Sequence, residues 1–225
     1  MEIVRKAHQI NVVTPSGILQ LAKGNGKIGN MLCSPSTDPH VTCPSVCDYC
    51  YALRRMHQYP QTRNRWRENT RVQGELLASD PDAYAEALHD ALAYWHDLHP
   101  SKNRLFRWHV SGDFVSQDHV EIAADLARQF PSVLFYSYTK RDWVPERRPG
   151  NLGWLKSLQN VLPYVDPASE LEIETHVRDQ GFTGFSAIVT RKEEANCLHS
   201  LNKKISCADC LRCPKGHSVK ILLHQ

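Results

Sequence analysis

The segment from Asp80 to Tyr138 constrains the fold more than any other, because helix and strand alternate there with little room for another reading. Tyr84, Ala87, Leu88, Ala91, Leu92, Trp95 and Leu98 recur at helical spacing, and Pro81 stands just inside Asp80, a side chain suited to capping a helix start. Arg104 to Val110 then has the alternation and aromatic content of a strand and runs into the turn Ser111-Gly112-Asp113. Val120, Ala123, Ala124, Ala127 and Phe130 share one face of a second helix, and Pro131 stops it. Val133 to Tyr138, rich in β-branched and aromatic residues, makes a second strand. Strand, helix, strand is the βαβ unit, whose crossover makes the two strands parallel.

The same reading extends outward. Gln9 to Val13 reads as a first strand, Asn64 to Ala78 as a helix and Leu152 to Leu158 as a short helix, with further strands at Leu171 to His176, Ser186 to Thr190 and Val219 to Leu222. Arg141 to Gly153, with two prolines and two glycines, reads as the longest loop. This alternation predicts an α/β fold: a full or partial (β/α) TIM-like barrel with a Cys-rich C-terminal extension and a site at the strands' C-terminal ends, with a doubly wound open sheet as the alternative. A chain of 225 residues with 41% hydrophobic content suits one domain, residues 1–225, within which 197–225 forms a Cys-rich metal-binding segment.

Eight cysteines fall into two groups. Cys33, Cys43, Cys47 and Cys50 lie near the N-terminus, Cys197, Cys207, Cys210 and Cys213 near the C-terminus, and none lies between. The first residues show no apolar signal segment and no later stretch is apolar enough to span a bilayer, so the expected setting is the reducing cytoplasm, with no membrane partner. Disulfides are not expected there, whereas thiolates two or three residues apart converge readily on a metal.

Cys43-Pro-Ser-Val-Cys47-Asp-Tyr-Cys50 is C-x3-C-x2-C, a spacing that lets three thiolates of one loop reach three corners of a 4Fe-4S cubane and leaves the fourth iron open for a ligand. Zinc more often uses paired knuckles separated by a longer stretch. Cys33 reads equally as a fourth ligand or a lone buried thiol and is left outside the site. Cys207-Ala-Asp-Cys210-Leu-Arg-Cys213 is the compact C-x2-C-x2-C run of bacterial-type ferredoxins, with Cys197 as its fourth ligand. Four thiolates close the coordination, which fits an electron-transfer cluster or a structural staple, with zinc as the competing metal.

The first motif, with Tyr49 just before its last cysteine, resembles the signature of the radical S-adenosylmethionine (SAM) enzymes, partial (β/α) barrels whose open iron binds SAM. That resemblance implies SAM as a further cofactor. Where those enzymes carry a Gly-Gly-Glu-Pro-like stretch, this chain has Ser111-Gly112-Asp113-Phe114, so Gly112 and Asp113 become candidate SAM contacts. A wider set of pieces resembles the phage protein family named for gene product eighty-eight. These are Asn25-Gly-Lys-Ile-Gly-Asn30, Cys47-Asp-Tyr-Cys50-Tyr-Ala52, His109-Val-Ser-Gly-Asp-Phe114, Phe135-Tyr-Ser-Tyr-Thr-Lys140, the C-terminal cysteine run and Val219-Lys-Ile-Leu-Leu-His224. This second resemblance implies a phage-encoded iron-sulfur protein working in the host cytosol, with no known reaction.

Around the strand ends, Asp113 and Lys140 are the candidate catalytic residues, with His109, Tyr138 and Thr139 beside them. The bland readings are a helix-capping Asp113, a core His109 and a solvated Lys140. Arg54, Arg55, Arg63, Arg65, Arg67 and Arg71, with Tyr59 and Trp66 among them, form the most basic stretch. Because 27 basic residues meet 24 acidic ones, a net charge of +3 does not favour nucleic acid as the partner, and a solvated helix face explains the stretch. The leading functional expectation is therefore redox or radical SAM-like chemistry at a three-cysteine 4Fe-4S cluster, served by a second cluster and acting on a small-molecule substrate or a redox partner. As an enzyme it would be radical SAM-like or an iron-sulfur oxidoreductase. The alternative is a zinc-stabilised nucleic-acid-binding module.

Overall fold

A computed structural model describes residues 2–6, 9–23, 31–43, 50–98, 104–139, 161–165, 186–189, 191–202, 204–206, 210–212 and 219–222. Among them, nine strands pair in the order of the chain: β1 (Glu2–Lys6), β2 (Gln9–Thr14), β3 (Gly17–Lys23), β4 (Met31–Pro35), β5 (Arg104–Trp108), β6 (Val133–Thr139), β7 (Val161–Val165), β8 (Ser186–Val189) and β9 (Val219–Leu222). The pairs β1–β2, β2–β3 and β3–β4 are antiparallel, and every pair from β4 to β9 is parallel.

This corrects the expected TIM-like barrel, full or partial. The sheet is mixed, and among the described residues no pairing joins β9 back to β1. The physical reason lies in the first 35 residues. Pro15-Ser16 closes a two-residue turn between Thr14 and Gly17, which face each other across the strands, and Gly17 adopts a φ of +133° that other residues rarely adopt. A chain that returns so tightly makes a meander and cannot supply the helical crossover that a (β/α) repeat needs. The first crossover comes only after β4.

That crossover holds α1 (Pro39–Thr42), α2 (Tyr51–Gln58), α3 (Pro60–Ser79) and α4 (Pro81–Leu98). The predicted Asp80 cap forms, with its Oδ1 accepting from the Ala83 N–H at 3.0 Å, and α4 buries Tyr84, Ala87, Leu88, Ala91, Leu92 and Trp95 as its spacing requires. Helix α3 starts at Pro60, earlier than expected, because proline suits a first helical position. Its Asn69 sits almost wholly buried and stitches the helix to the sheet: Oδ1 accepts from Gln20 N–H at 3.0 Å, and Nδ2 donates to the carbonyls of Ser36 at 2.9 Å and Gln20 at 3.2 Å. Helix α5 (Gln117–Gln129) joins β5 to β6 and is capped by Ser116, whose Oγ accepts from His119 N–H at 3.2 Å. The expected elements at Leu152 to Leu158 and Leu171 to His176, and the loop at Arg141 to Gly153, lie outside the described residues. The strands expected at Ser186 and Val219 form.

The main core lies on the helical side of the sheet. Leu19, Leu21, Leu32, Phe106, Trp108 and Phe135 meet Val72, Leu76, Leu88, Leu92, Val120 and Ala123 there. Phe106 anchors it, with its ring 4.9 Å from that of Trp108 and 5.2 Å from that of Phe135.

Candidate functional site

Because side chains alternate along a strand, β4, β5 and β6 present a second set of residues to the opposite face. Cys33, Leu105 and Tyr136 form a separate buried cluster there, edged by Ala22, Val110, Leu134, Tyr138 and Leu211. Strand register puts Cys33 opposite Arg107 and Arg107 opposite Tyr136, so one row across three strands reads thiol, guanidinium, phenol. The Arg107 guanidinium stacks over the Tyr138 ring at 4.9 Å and hydrogen-bonds the Tyr51 side chain. Burial pushes the Cys33 thiol up to about 12, against the opposing pull of the Arg107 charge. Such a thiol stays protonated at neutral pH as long as no metal binds it.

Cys43 and Cys50 stand on either side of residues 44–49 in the sequence. Cys43 closes α1, its N–H donating to the Pro39 carbonyl at 3.1 Å, and Cys50 is the N-cap residue of α2. Both are half-buried. The positive end of α2 favours negative charge at Cys50, and Cys50 packs beside Ala52, Met56 and Trp66. Cys50, Cys33 and Arg107 each act electrostatically on Tyr51. Cys47 lies outside the described residues.

The loop before Cys43 is locked to the end of β5. Thr37 N–H donates to the Ser111 carbonyl at 3.0 Å, Ser111 Oγ donates to the Thr37 carbonyl at 2.8 Å, and the Thr37 and Thr42 hydroxyls lie 2.9 Å apart. Gly112, at a φ of +93°, fits against this loop so closely that a Cβ would fall 1.8 Å from Thr37 Oγ1. Asp113 is buried, and its Oδ1 accepts from Phe114 N–H and from Thr139 Oγ1, each at 2.8 Å, which braces the end of β5 against that of β6. Ser116, not Asp113, caps the following helix. Lys140 lies outside the described residues.

In the C-terminal group, Cys197 and Cys210 are described and half-buried, while Cys207 and Cys213 are outside. Cys197 N–H donates to the Lys220 carbonyl at 3.0 Å, tying the start of α6 (Leu198–Leu201) to β9. Arg212 Nη1 donates to the Asn196 carbonyl at 3.2 Å. Leu211, between Cys210 and Arg212, takes a φ of +55° and packs against the cluster of Cys33, Leu105 and Tyr136. The second cysteine segment is thus seated on the same sheet face as the Cys33–Arg107–Tyr136 row. Among the described residues no three His, Cys, Asp or Glu side chains form a metal-binding group.

Two sequence candidates resolve differently. His109 has a φ of +54°, which turns it out of the strand alternation, so that its ring joins Trp108 on the helical side, 4.5 Å from Phe114 and 5.2 Å from His119. It is a core residue. Three arginines of the stretch meet their own neighbours: Arg71 pairs with Glu68 and Glu75, Arg67 approaches Asp38 at 3.4 Å, and Arg55 lies over Tyr59. Such pairs are those of a solvated helix face. The residue missed from the sequence is Arg107. Its signal was a guanidinium in register with Leu105 on a strand whose other face is aromatic.

Among the described residues no helix is long and apolar enough to cross a membrane. No curated protein and no solved structure matches the chain. The family model described as gene product 88 matches residues 10–225, from the second strand to the last residue, so this chain belongs to the gene product 88 family, the phage family that its motifs resemble.

Proposed function

We propose that the protein is an iron-sulfur protein, with a four-iron cluster on Cys43, Cys47 and Cys50 and a second centre on Cys197, Cys207, Cys210 and Cys213. The observation that carries this reading is the placement of cysteines from both groups beside one sheet face. Cys50, Cys33 and Arg107 all act on Tyr51, and Leu211, next to Cys210, packs against the cluster that holds Cys33. Half-buried thiols at the ends of two helices, on either side of residues 44–49 in the sequence, fit a cluster ligated from one segment. Bound there, such a cluster supplies one-electron transfer and an iron open to a further ligand.

The chain's own part is support. Thr37, Thr42, Ser111 and Gly112 fix the approach to Cys43, and the Asp113–Thr139 bond holds the neighbouring strand ends. Binding of SAM, with radical chemistry at the strand ends near Gly112, Asp113 and Lys140, is the finer form of the proposal. The packing of Gly112 on Thr37 accounts for that glycine without a cofactor, so SAM rests on the cysteine spacing alone.

The test is anaerobic purification followed by visible absorption and assays of iron, sulfide and zinc per chain. Broad absorption near roughly 400 nm with about eight irons is expected. A colourless protein with about two zincs would overturn the reading in favour of structural zinc.

A further inference from the structure

Arg107 is placed where a guanidinium is costly to keep. It projects from β5, between β4 and β6, away from the helical core and toward the cluster of Cys33, Leu105 and Tyr136. Its Nε is closed off from solvent and meets no acceptor. The titratable groups that face it are Tyr51, Tyr136, Tyr138 and Cys33; among the described residues no carboxylate pairs with it. Arg107 as a whole is half-buried, and drawing a cation even partly out of water without an anion is unfavourable, so folded proteins usually supply a partner.

The surroundings are suited to a partner from outside. The guanidinium carbon lies 4.9 Å over the centre of the Tyr138 ring, and Tyr51 hydrogen-bonds the group. The two Nη groups of a guanidinium grip two oxygens of a carboxylate or phosphate in parallel hydrogen bonds, and Arg107 as a whole keeps part of its surface open. Tyr51 keeps about half its surface open (51%), yet desolvation is the largest influence on its hydroxyl. One side chain thus both neighbours Arg107 and reaches the surface.

We propose that Arg107, stacked on Tyr138 and flanked by Tyr51, is the anchor of a binding site for the oxyanion of a small molecule, a carboxylate or a phosphate, on the sheet face beside Cys50. The site goes beyond the iron-sulfur reading and does not depend on it, since every residue in it belongs to the fold. It gives the protein a means of holding a small anionic compound next to the cysteine loop.

Calorimetric titration of the purified full chain at low ionic strength, with inorganic phosphate, acetate and citrate as separate probes, tests the site. Saturable binding is expected for at least one probe, and the probe that binds tells phosphate from carboxylate. Arg107→Gln should weaken it at least about 10-fold, and Arg107→Lys, which keeps the charge but loses the fork, should weaken it by an intermediate factor. Tyr138→Leu provides a second route if Arg107→Gln does not fold, and should also weaken binding. Iron content measured on each sample separates loss of the anion site from loss of a cluster. No saturable binding of any probe to the wild type, or equal binding by wild type and the Arg107 variants, would overturn the proposal.

Discussion

The two faces of the central strands are built from the same backbone and differ only in which residue of each pair points which way. On the helical face, Leu32, Phe106, Trp108, Val133 and Phe135 meet helices and are sealed by apolar packing. On the other, Cys33, Arg107, Tyr136 and Tyr138 bring a thiol, a cation and two phenols together, and loops carrying cysteines lie against them. The first face is what hydrophobic burial selects. The second contains groups that burial penalises, so stability alone does not explain it, and that contrast separates a scaffold face from a candidate working face.

If the contrast is right, the largest losses of stability come from the helical face. Phe106→Ala removes a fully buried ring that touches two others and should cost about 3–5 kcal/mol in denaturant unfolding. A loss under about 1 kcal/mol would show that this face is not the scaffold. Next in size is the junction between the faces. Gly112→Ala forces a Cβ into Thr37 Oγ1 at a φ of +93°, and should cost about 2–4 kcal/mol through strain and overpacking together. Adding Thr37→Ala should recover part of that loss, because the closest atom is removed; no recovery would mean that backbone strain alone sets the cost.

Cys33 gives a smaller and pH-dependent effect. Its folded thiol ionises near 12 instead of the usual 9.0, so the unfolded chain loses this proton first as the pH rises. The stability contributed by the buried neutral thiol is whole below about pH 9 and declines toward pH 12, by at most about 1.4 kcal/mol per pH unit. Subtracting the Cys33→Ala profile from that of the wild type isolates this slope from other alkaline groups. Parallel profiles would mean that Cys33 ionises in the folded protein, and it would then return as a candidate ligand.

What was legible in the sequence follows the same division. Helices α4 and α5 and strands β5 and β6 could be read because each has one face apolar enough to fix its period. The cysteine groups could be read because their spacing is itself the signal. The meander was only partly legible. The strand β4 is short and polar at Ser34, and its pairing with β3 and β5 depends on contacts distant in sequence. The reversal of His109 into the core was hidden because a left-handed residue breaks the alternation on which strand reading relies. Arg107 was hidden for a related reason. An arginine alternating with aromatics reads as the solvent side of a strand until the second layer against that side is known.

Arg107 therefore gives the smallest expected effect and the sharpest division between the faces. Arg107→Met keeps much of the side chain's length and apolar stem, removes the desolvated charge, and loses the stacking on Tyr138 and the bond to Tyr51. The lost contacts are worth about 1–2 kcal/mol, and relief of the unpaired cation is of similar size and opposite sign. Stability by denaturant unfolding should accordingly stay within about 1 kcal/mol of the wild type. A loss of 3 kcal/mol or more would mean that the guanidinium is a structural pillar of its face, as Phe106 is of the other, and the distinction between scaffold and working face would collapse. A neutral result leaves a half-buried arginine that folding does not require, and what retains such a residue is a charge it has to meet.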